Sequence, residues 1–568
     1  MLRNSNNIKI NRKRIYFLFI LFSITFLLII YRLVFIQYLN ASEFKSYAEF
    51  QHIGEFVLDS RRGKILDRNG VELAISLNER TVYANPKLVV DSEYESTILA
   101  EILELDVENV KEKLDSKDLG FVYIQRKVSQ EKAEKIVKYN LPGIYFQNEA
   151  RRYYPLNDIA ASVIGFAGVD NNGLAGIELQ YEKVLRGIDG KAIAEKDVFG
   201  NIIPGENNTY IEPVDGKNVV LTIDSQIQYI AQEKLEEVVS EFGALSAISI
   251  VMNPRSGEIY SMAAYPGFDL NNYQEAGPEL YKISGISFTY EPGSTFKIIN
   301  VASAIENNSV SKDQVFDLPS WIRVGGKTFK EIFRTYDISC TTEEIIKRSW
   351  NVGAIKIALS MGEKTFWESI KKFGFGEITG IELPGEEKGI FHDYENWNAP
   401  DIGALAIGQT ISVTPLQLLR AVCAVANGGY LVTPSIVKEV KLLENEENEN
   451  KQIEEGNRIL SQETADALKD MMLAVVEGGT GTRAQIDGVK VCGKTGTAQK
   501  AKNGVGYSEG RQIVSFIGFA PYENPEIAII VVVDEPQGGK NTIWGSTVAA
   551  PVFRDIMEFS LNKLKVCQ

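Results

Sequence analysis

Ser294 and Lys297 stand three positions apart where Glu291-Pro292-Gly293 breaks the chain and residues 295–302 read as a largely buried helix. On a helix that spacing sets both side chains on one face, about 5–6 Å apart, so an amine lies beside a hydroxyl. The helix start offers free N–H groups and partial positive charge to a developing oxyanion, which makes the pair a usable nucleophile and base. The pattern Ser-x-x-Lys alone decides nothing, because it starts seven times, at Ser42, Ser129, Ser294, Ser309, Ser369, Ser435 and Ser560. Context distinguishes Ser294. Two further pieces follow in order: Ser349-Trp350-Asn351, 55 residues on, and Lys494-Thr495-Gly496-Thr497, 145 beyond that. Ser-x-Asn recurs at Ser5, Ser76 and Ser560, whereas Lys-Thr-Gly occurs once. Val489-Lys490-Val491-Cys492 alternates like a strand ahead of Lys494, so this segment is expected to line a cleft edge where an extended peptide pairs by strand addition.

The composition narrows the chemistry. With only His52 and His392 in 568 residues, neither a Ser-His-Asp triad nor a metal site of clustered His and Cys has much to be built from, and no metal or cofactor is expected. Cys340, Cys423, Cys492 and Cys567 show no C-x-x-C spacing and read as buried or idle thiols. At 44% hydrophobic and 24% charged, the chain is that of a packed globular protein with more than one domain. The net charge of −15 is unevenly placed: Arg3, Lys9, Arg12, Lys13 and Arg14 form a basic tip on an acidic body, which argues against nucleic-acid binding.

The elements that must position these residues are partly legible. Residues 15–36 are uncharged apart from Arg32, largely apolar, and span roughly 33 Å as a helix, enough to cross a ~30 Å hydrocarbon core. The positive-inside rule then puts residues 1–14 in the cytoplasm and everything after about residue 37 outside. Residues 40–215 hold short alternating runs, with Asn69-Gly70 as a hairpin signal and an Arg/Asp cluster over 61–68 best explained by ion pairs. From Val219 the texture becomes α/β, with a helix over 226–239, strands over 247–252 and 258–264, and late strands over 513–519 and 527–533. Thr414-Pro415-Leu416-Gln417 reads as a capping box leading a buried helix, and the acid-rich 444–456 as a solvated loop.

The ordered set Ser-x-x-Lys, Ser-x-Asn, Lys-Thr-Gly resembles that of penicillin-binding proteins and serine β-lactamases. Further segments look like class B penicillin-binding proteins over nearly the full chain: Arg62-Gly63 to Gly70, Arg151 to Pro155, Gly173 to Glu178, Gly408-Gln409 to Thr414-Pro415, and Gly518 to Pro521. The resemblance implies an α/β protein in four parts. These are a cytoplasmic tail (1–14), a single transmembrane helix (15–36), a mixed α+β pedestal or dimerisation domain (40–215) and a transpeptidase domain (218–568) whose antiparallel sheet is sandwiched by helices. It further implies a peptidoglycan D,D-transpeptidase of the cytoplasmic (inner) membrane, acting on stem peptides ending in D-Ala-D-Ala and trapped by β-lactams. By resemblance Ser294 is the nucleophile, Lys297 its base, Ser349 a proton relay and Asn351 a substrate-backbone ligand. Lys494, Thr495 and Thr497 would hold the substrate carboxylate on the Lys-Thr-Gly segment that includes Gly496, and the N–H groups of Ser294 and Thr497 would form the oxyanion hole. Lys297 must then be neutral, which takes roughly 4 kcal/mol against a free lysine, while Lys494 stays charged.

Ser349-Trp350-Asn351 looks like the septal, cell-division type, although Trp350 departs from the usual Ser. A partner polymerase of the SEDS family and divisome proteins are implied with it. The alternatives are an elongation or sporulation transpeptidase, and a β-lactam-acylated sensor or scaffold without cross-linking activity.

Overall fold

The computed structural model describes residues 12–40, 53–195, 209–441, 449–450, 456–502, 506–538 and 543–566. Arg3, Lys9, His52, Cys567 and most of the acid-rich 444–456 stretch lie outside the described residues. Near the N-terminus an α-helix, Arg12–Val34, continues as a π-helical turn, Phe35–Leu39, and together they are long and apolar enough to cross a membrane. The helix starts earlier than residue 15 because Arg12, Lys13 and Arg14 are themselves good helix formers.

The chain forms two compact units. The first joins residues 1–60 and 188–214. In it Ile53–Leu58 pairs antiparallel with Gly190–Glu195, which pairs in turn with Thr209–Ile211. The second comprises residues 61–187 and 215–568. Its hairpin at Asn69-Gly70 forms as expected: Ile65–Leu66 pairs with Glu72–Ala84, and Gly70 takes φ +87°, a value that glycine adopts without strain. The arginine cluster is structural. Arg62 and Arg152, both buried, each bring Nε to 2.6 Å from a different oxygen of Glu178, and Arg62 Nη1 reaches Glu182 at 2.7 Å. Asn218–Leu221 runs parallel to Ile65–Leu66 and antiparallel to Val437–Lys441, so a sheet spans the expected junction at 215–218.

The sheet that carries the chemistry has five antiparallel strands in the order Ile259–Tyr265, Ser246–Met252, Ile527–Asp534, Gly506–Ala520 and Cys492–Lys502. Its central strand, Ile-Ala-Ile-Ile-Val-Val-Val-Asp, is buried throughout, as an apolar run covered on both faces must be. The two-residue period of the strands divides the core. Ile248, Ile250, Ile530 and Val532 pack with Ile298, Leu419 and Met472 of the helices Lys297–Glu306, Pro415–Ala426 and Gln462–Gly478. Val251, Ile529 and Val531 pack with Ile227, Leu235 and Phe553 of the helices Ser225–Phe242 and Ala549–Lys563. The result is the helix–sheet–helix sandwich that the resemblance implies.

The capping box is present: Gln417 N donates to Thr414 Oγ1 at 3.2 Å and Thr414 N to Gln417 Oε1 at 2.9 Å. One element is displaced. The strand expected over 489–492 begins at Cys492 and runs to Lys502, because Ile486 and Val489 bridge each other across a tight turn. Lys-Thr-Gly therefore lies within the edge strand itself.

Candidate active site

Ser294 occupies a 3-10 turn, Gly293–Phe296, that runs directly into the Lys297–Glu306 helix, instead of the first α-turn that the spacing suggests. The turn is made possible by Gly293, whose φ is +58° and whose N–H donates to Gly408 O at 3.0 Å. A Cβ at Gly293 would lie 2.9 Å from the carbonyl oxygen of Thr497, so the nucleophile turn abuts the Cys492–Lys502 strand. At Gly496 a Cβ would lie 2.2 Å from Ser515 Oγ, so the last position of Lys-Thr-Gly is also tight against its neighbour. Ser294, Ser349, Asn351, Thr495 and Thr497 all line one cleft of about 190 Å³. A larger cavity of about 510 Å³ lies away from them, beside Tyr265 and Phe288.

Behind the cleft two lysines are fully buried. Lys297 Nζ donates to Ser349 O at 2.7 Å, to Asn351 Oδ1 at 2.7 Å and to Ser349 Oγ at 3.3 Å. Among the described residues no hydrogen bond joins it to Ser294. Lys494 Nζ approaches from the strand and donates to Ser349 Oγ at 3.1 Å and Thr495 O at 3.1 Å. Ser349 reaches both because it ends the Thr342–Arg348 helix in the left-handed conformation, φ 62° and ψ 38°, which a serine rarely adopts. Thr495 Oγ1 in turn shares a hydrogen bond with Thr480 Oγ1 at 3.0 Å.

Burial sets the protonation of both amines. It pulls Lys297 down to about 7, opposed in part by the Glu331 carboxylate. From the ordinary 10.5 that is roughly 5 kcal/mol of bias against the ammonium. Lys494 is also drawn well below its ordinary value, first by burial and then by the charge of Lys297. Burial first, and the charge of Lys297 second, thus bias Lys494 against the ammonium form that the resemblance implies for it. A carboxylate arriving beside Lys494 reverses that bias, since a nearby anion favours the protonated amine.

Three residues escaped the sequence reading. Glu331 accepts from Asn351 N at 2.9 Å and Val352 N at 2.8 Å, capping the Asn351–Met361 helix. Arg334, buried, lies 3.5 Å from Glu331 and 5.3 Å over the ring of Trp350. The unusual Trp350 thus supports an arginine. Trp544 closes another side of the cleft, with its ring 4.9 Å from that of Phe333. No motif marks these residues, which reach the site through loops. His392 is exposed, and Cys340, Cys423 and Cys492 are free thiols, two of them buried.

A penicillin binding protein transpeptidase domain matches residues 247–558, and a penicillin-binding protein dimerisation domain matches residues 57–221. The stage V sporulation protein D of Bacillus subtilis is 37% identical over 98% of this chain and 86% of its own length. The peptidoglycan D,D-transpeptidase FtsI of Escherichia coli is 31% identical over 90% of this chain and 84% of its own. Among solved structures, a peptidoglycan synthetase from Bifidobacterium adolescentis superimposes with a TM-score of 0.72 at 27% identity, covering 90% of this chain and 97% of that one. Penicillin-binding protein 3 of Mycobacterium tuberculosis, complexed with aztreonam, gives 0.70 at 26% identity, covering 90% and 98%.

Proposed function

Because the chain belongs to the class B penicillin-binding proteins, which are serine-type peptidoglycan D,D-transpeptidases, we propose that its residues divide the work of that reaction as follows. Ser294 Oγ attacks the penultimate D-Ala carbonyl of a stem peptide. Lys297, as the neutral amine, takes the serine proton, and the oxyanion meets the N–H groups of Ser294 and Thr497. As the C–N bond breaks, the proton passes from Lys297 through Ser349 to the leaving amine, and D-alanine departs. An amine of a second stem then attacks the acyl carbon, loses its proton to the same relay and frees Ser294. Asn351 holds the substrate backbone, and Lys494 with Thr495 and Thr497 holds the terminal carboxylate. The observation that carries this reading is Ser349 Oγ lying within hydrogen-bond reach of both buried amines.

Labelling with fluorescent penicillin tests it. Wild type is expected to label and Ser294→Ala not to; equal labelling overturns the nucleophile.

The finer role we assign is septal wall synthesis, supported by the Ser349-Trp350-Asn351 motif. Sporulation is the second reading, favoured by the higher identity to stage V sporulation protein D. Depletion separates them: filaments with blocked septa support division, and normal growth with failed spores supports sporulation. The Arg12–Leu39 helix would anchor the chain in the cytoplasmic membrane with the catalytic unit outside, the orientation that Arg12, Lys13 and Arg14 favour. A SEDS-family polymerase and divisome proteins remain the proposed partners, and β-lactams the inhibitors.

A further inference from the structure

Asn351 faces Lys297 only because the first turn of its helix is held in place. That turn starts at Trp350, whose side chain makes no cap, so the free N–H groups of Asn351 and Val352 need another acceptor. Glu331 supplies it with both carboxylate oxygens, at 2.9 and 2.8 Å. Its side chain is 2% exposed and that of Arg334 is 1% exposed. Arg334 is fixed in turn, donating to Leu318 O at 2.9 Å, to Pro319 O at 3.0 Å and to Tyr336 O, and resting over Trp350. A buried carboxylate has thus been brought to the wall of the cleft with its own counter-ion.

We propose that Glu331, held by Arg334, is a positioning residue of the transpeptidase reaction: it fixes Asn351 against Lys297 by capping the helix, and it carries its negative charge next to the residue that Lys297 binds. The proposal rests on the reading of Lys297 as base. Among the described residues, Lys494 on the edge strand and Glu331 act on or with the charge of Lys297; Glu331 pairs with Arg334 on the loop before the Thr342–Arg348 helix, and Arg348, which lines the same cleft, is paired with Glu344 at 2.9 Å. Among the described residues Glu331 is the acid that raises the affinity of Lys297 for a proton, against the larger effect of burial. Removing its charge therefore extends the neutral amine to lower pH.

The test is the pH profile of penicillin acylation for wild type, Glu331→Asp and Glu331→Gln, with folding checked by melting temperature. Loss of the charge is expected to move the acidic limb of Glu331→Gln down by about one pH unit, with Glu331→Asp in between. The plateau falls in both variants, because Asn351 is less well held. A limb in Glu331→Gln that coincides with wild type, with only the plateau reduced at every pH, means a purely structural cap and overturns the proposal. Should Glu331→Gln fail to fold, the sign of the shift between Glu331→Asp and wild type decides in the same way. A wild type whose acylation survives Lys297→Ala unchanged would instead remove the base assignment itself, which is a separate outcome.

Discussion

Ser349 Oγ sits 3.3 Å from Nζ of Lys297 and 3.1 Å from Nζ of Lys494, one hydroxyl between two buried amines. A hydroxyl both donates and accepts, so it can pass a proton between an amine that must lose one and a leaving group that must gain one. Ser349→Ala keeps the helix end but removes the relay. Acylation by penicillin is expected to fall about a hundredfold, the lower end of what a positioned proton-transfer group contributes, with little change in melting temperature. Stopped-flow labelling measures it, and a rate within threefold of wild type would exclude the relay.

The pH dependence follows from burial. Lys297 titrates near 7, so acylation is expected to lose about tenfold per unit as pH falls below that value, with a second-order rate constant that is flat above it. The same depression bears on stability. An unfolded lysine keeps its proton up to about 10.4 while the folded one has shed it above about 7, so between these values the unfolded state binds more protons and stability rises with pH. The buried amine therefore weighs on the fold most at and below pH 7. Lys297→Met is expected to abolish labelling while raising the melting temperature relative to wild type. The gain should grow as pH is lowered from about 10 to about 7 and stay constant below. Thermal melts across that range provide the check.

Trp350 lies under Arg334 as its aromatic support. Trp350→Ser, which restores the usual residue of the septal motif, leaves a buried guanidinium without its ring and opens a void. A loss of about 2–3 kcal/mol in urea unfolding is expected, combined from lost packing and cation–π attraction, with acylation changed less than tenfold because Asn351 keeps its cap on Glu331.

Gly293 is held in the left-handed region against Thr497. Gly293→Ala places a methyl group 2.9 Å from the Thr497 carbonyl oxygen, closer than a Cβ normally comes. It is expected to cost about 1–2 kcal/mol in backbone strain alone and to cut acylation at least a hundredfold by pushing the nucleophile turn away from the strand. Urea unfolding and labelling read the two effects separately.

What the sequence discloses here is local. Ser294 and Lys297 are three residues apart, the apolar run at 527–534 announces a buried central strand, and Thr414 to Gln417 declare a helix start within four positions. The ordered motifs bring Ser349, Asn351 and Lys494 to the same place through family resemblance and not through any period in the chain. The relationships that stay hidden are those made by folding at long range. Glu331 caps a helix that begins 20 residues later through an unpatterned loop, and Ile65 pairs with Val219 across the chain. The protonation of Lys494 is hidden for the same reason, since it depends on burial beside Lys297 and no motif records burial.

The central claim is that Ser294 forms the acyl-enzyme. Peptide mapping by mass spectrometry after incubation with a β-lactam tests it most directly. A single adduct on the peptide containing Ser294, lost in Ser294→Ala, is the predicted result; an adduct on another residue, or one undiminished in that variant, would contradict it.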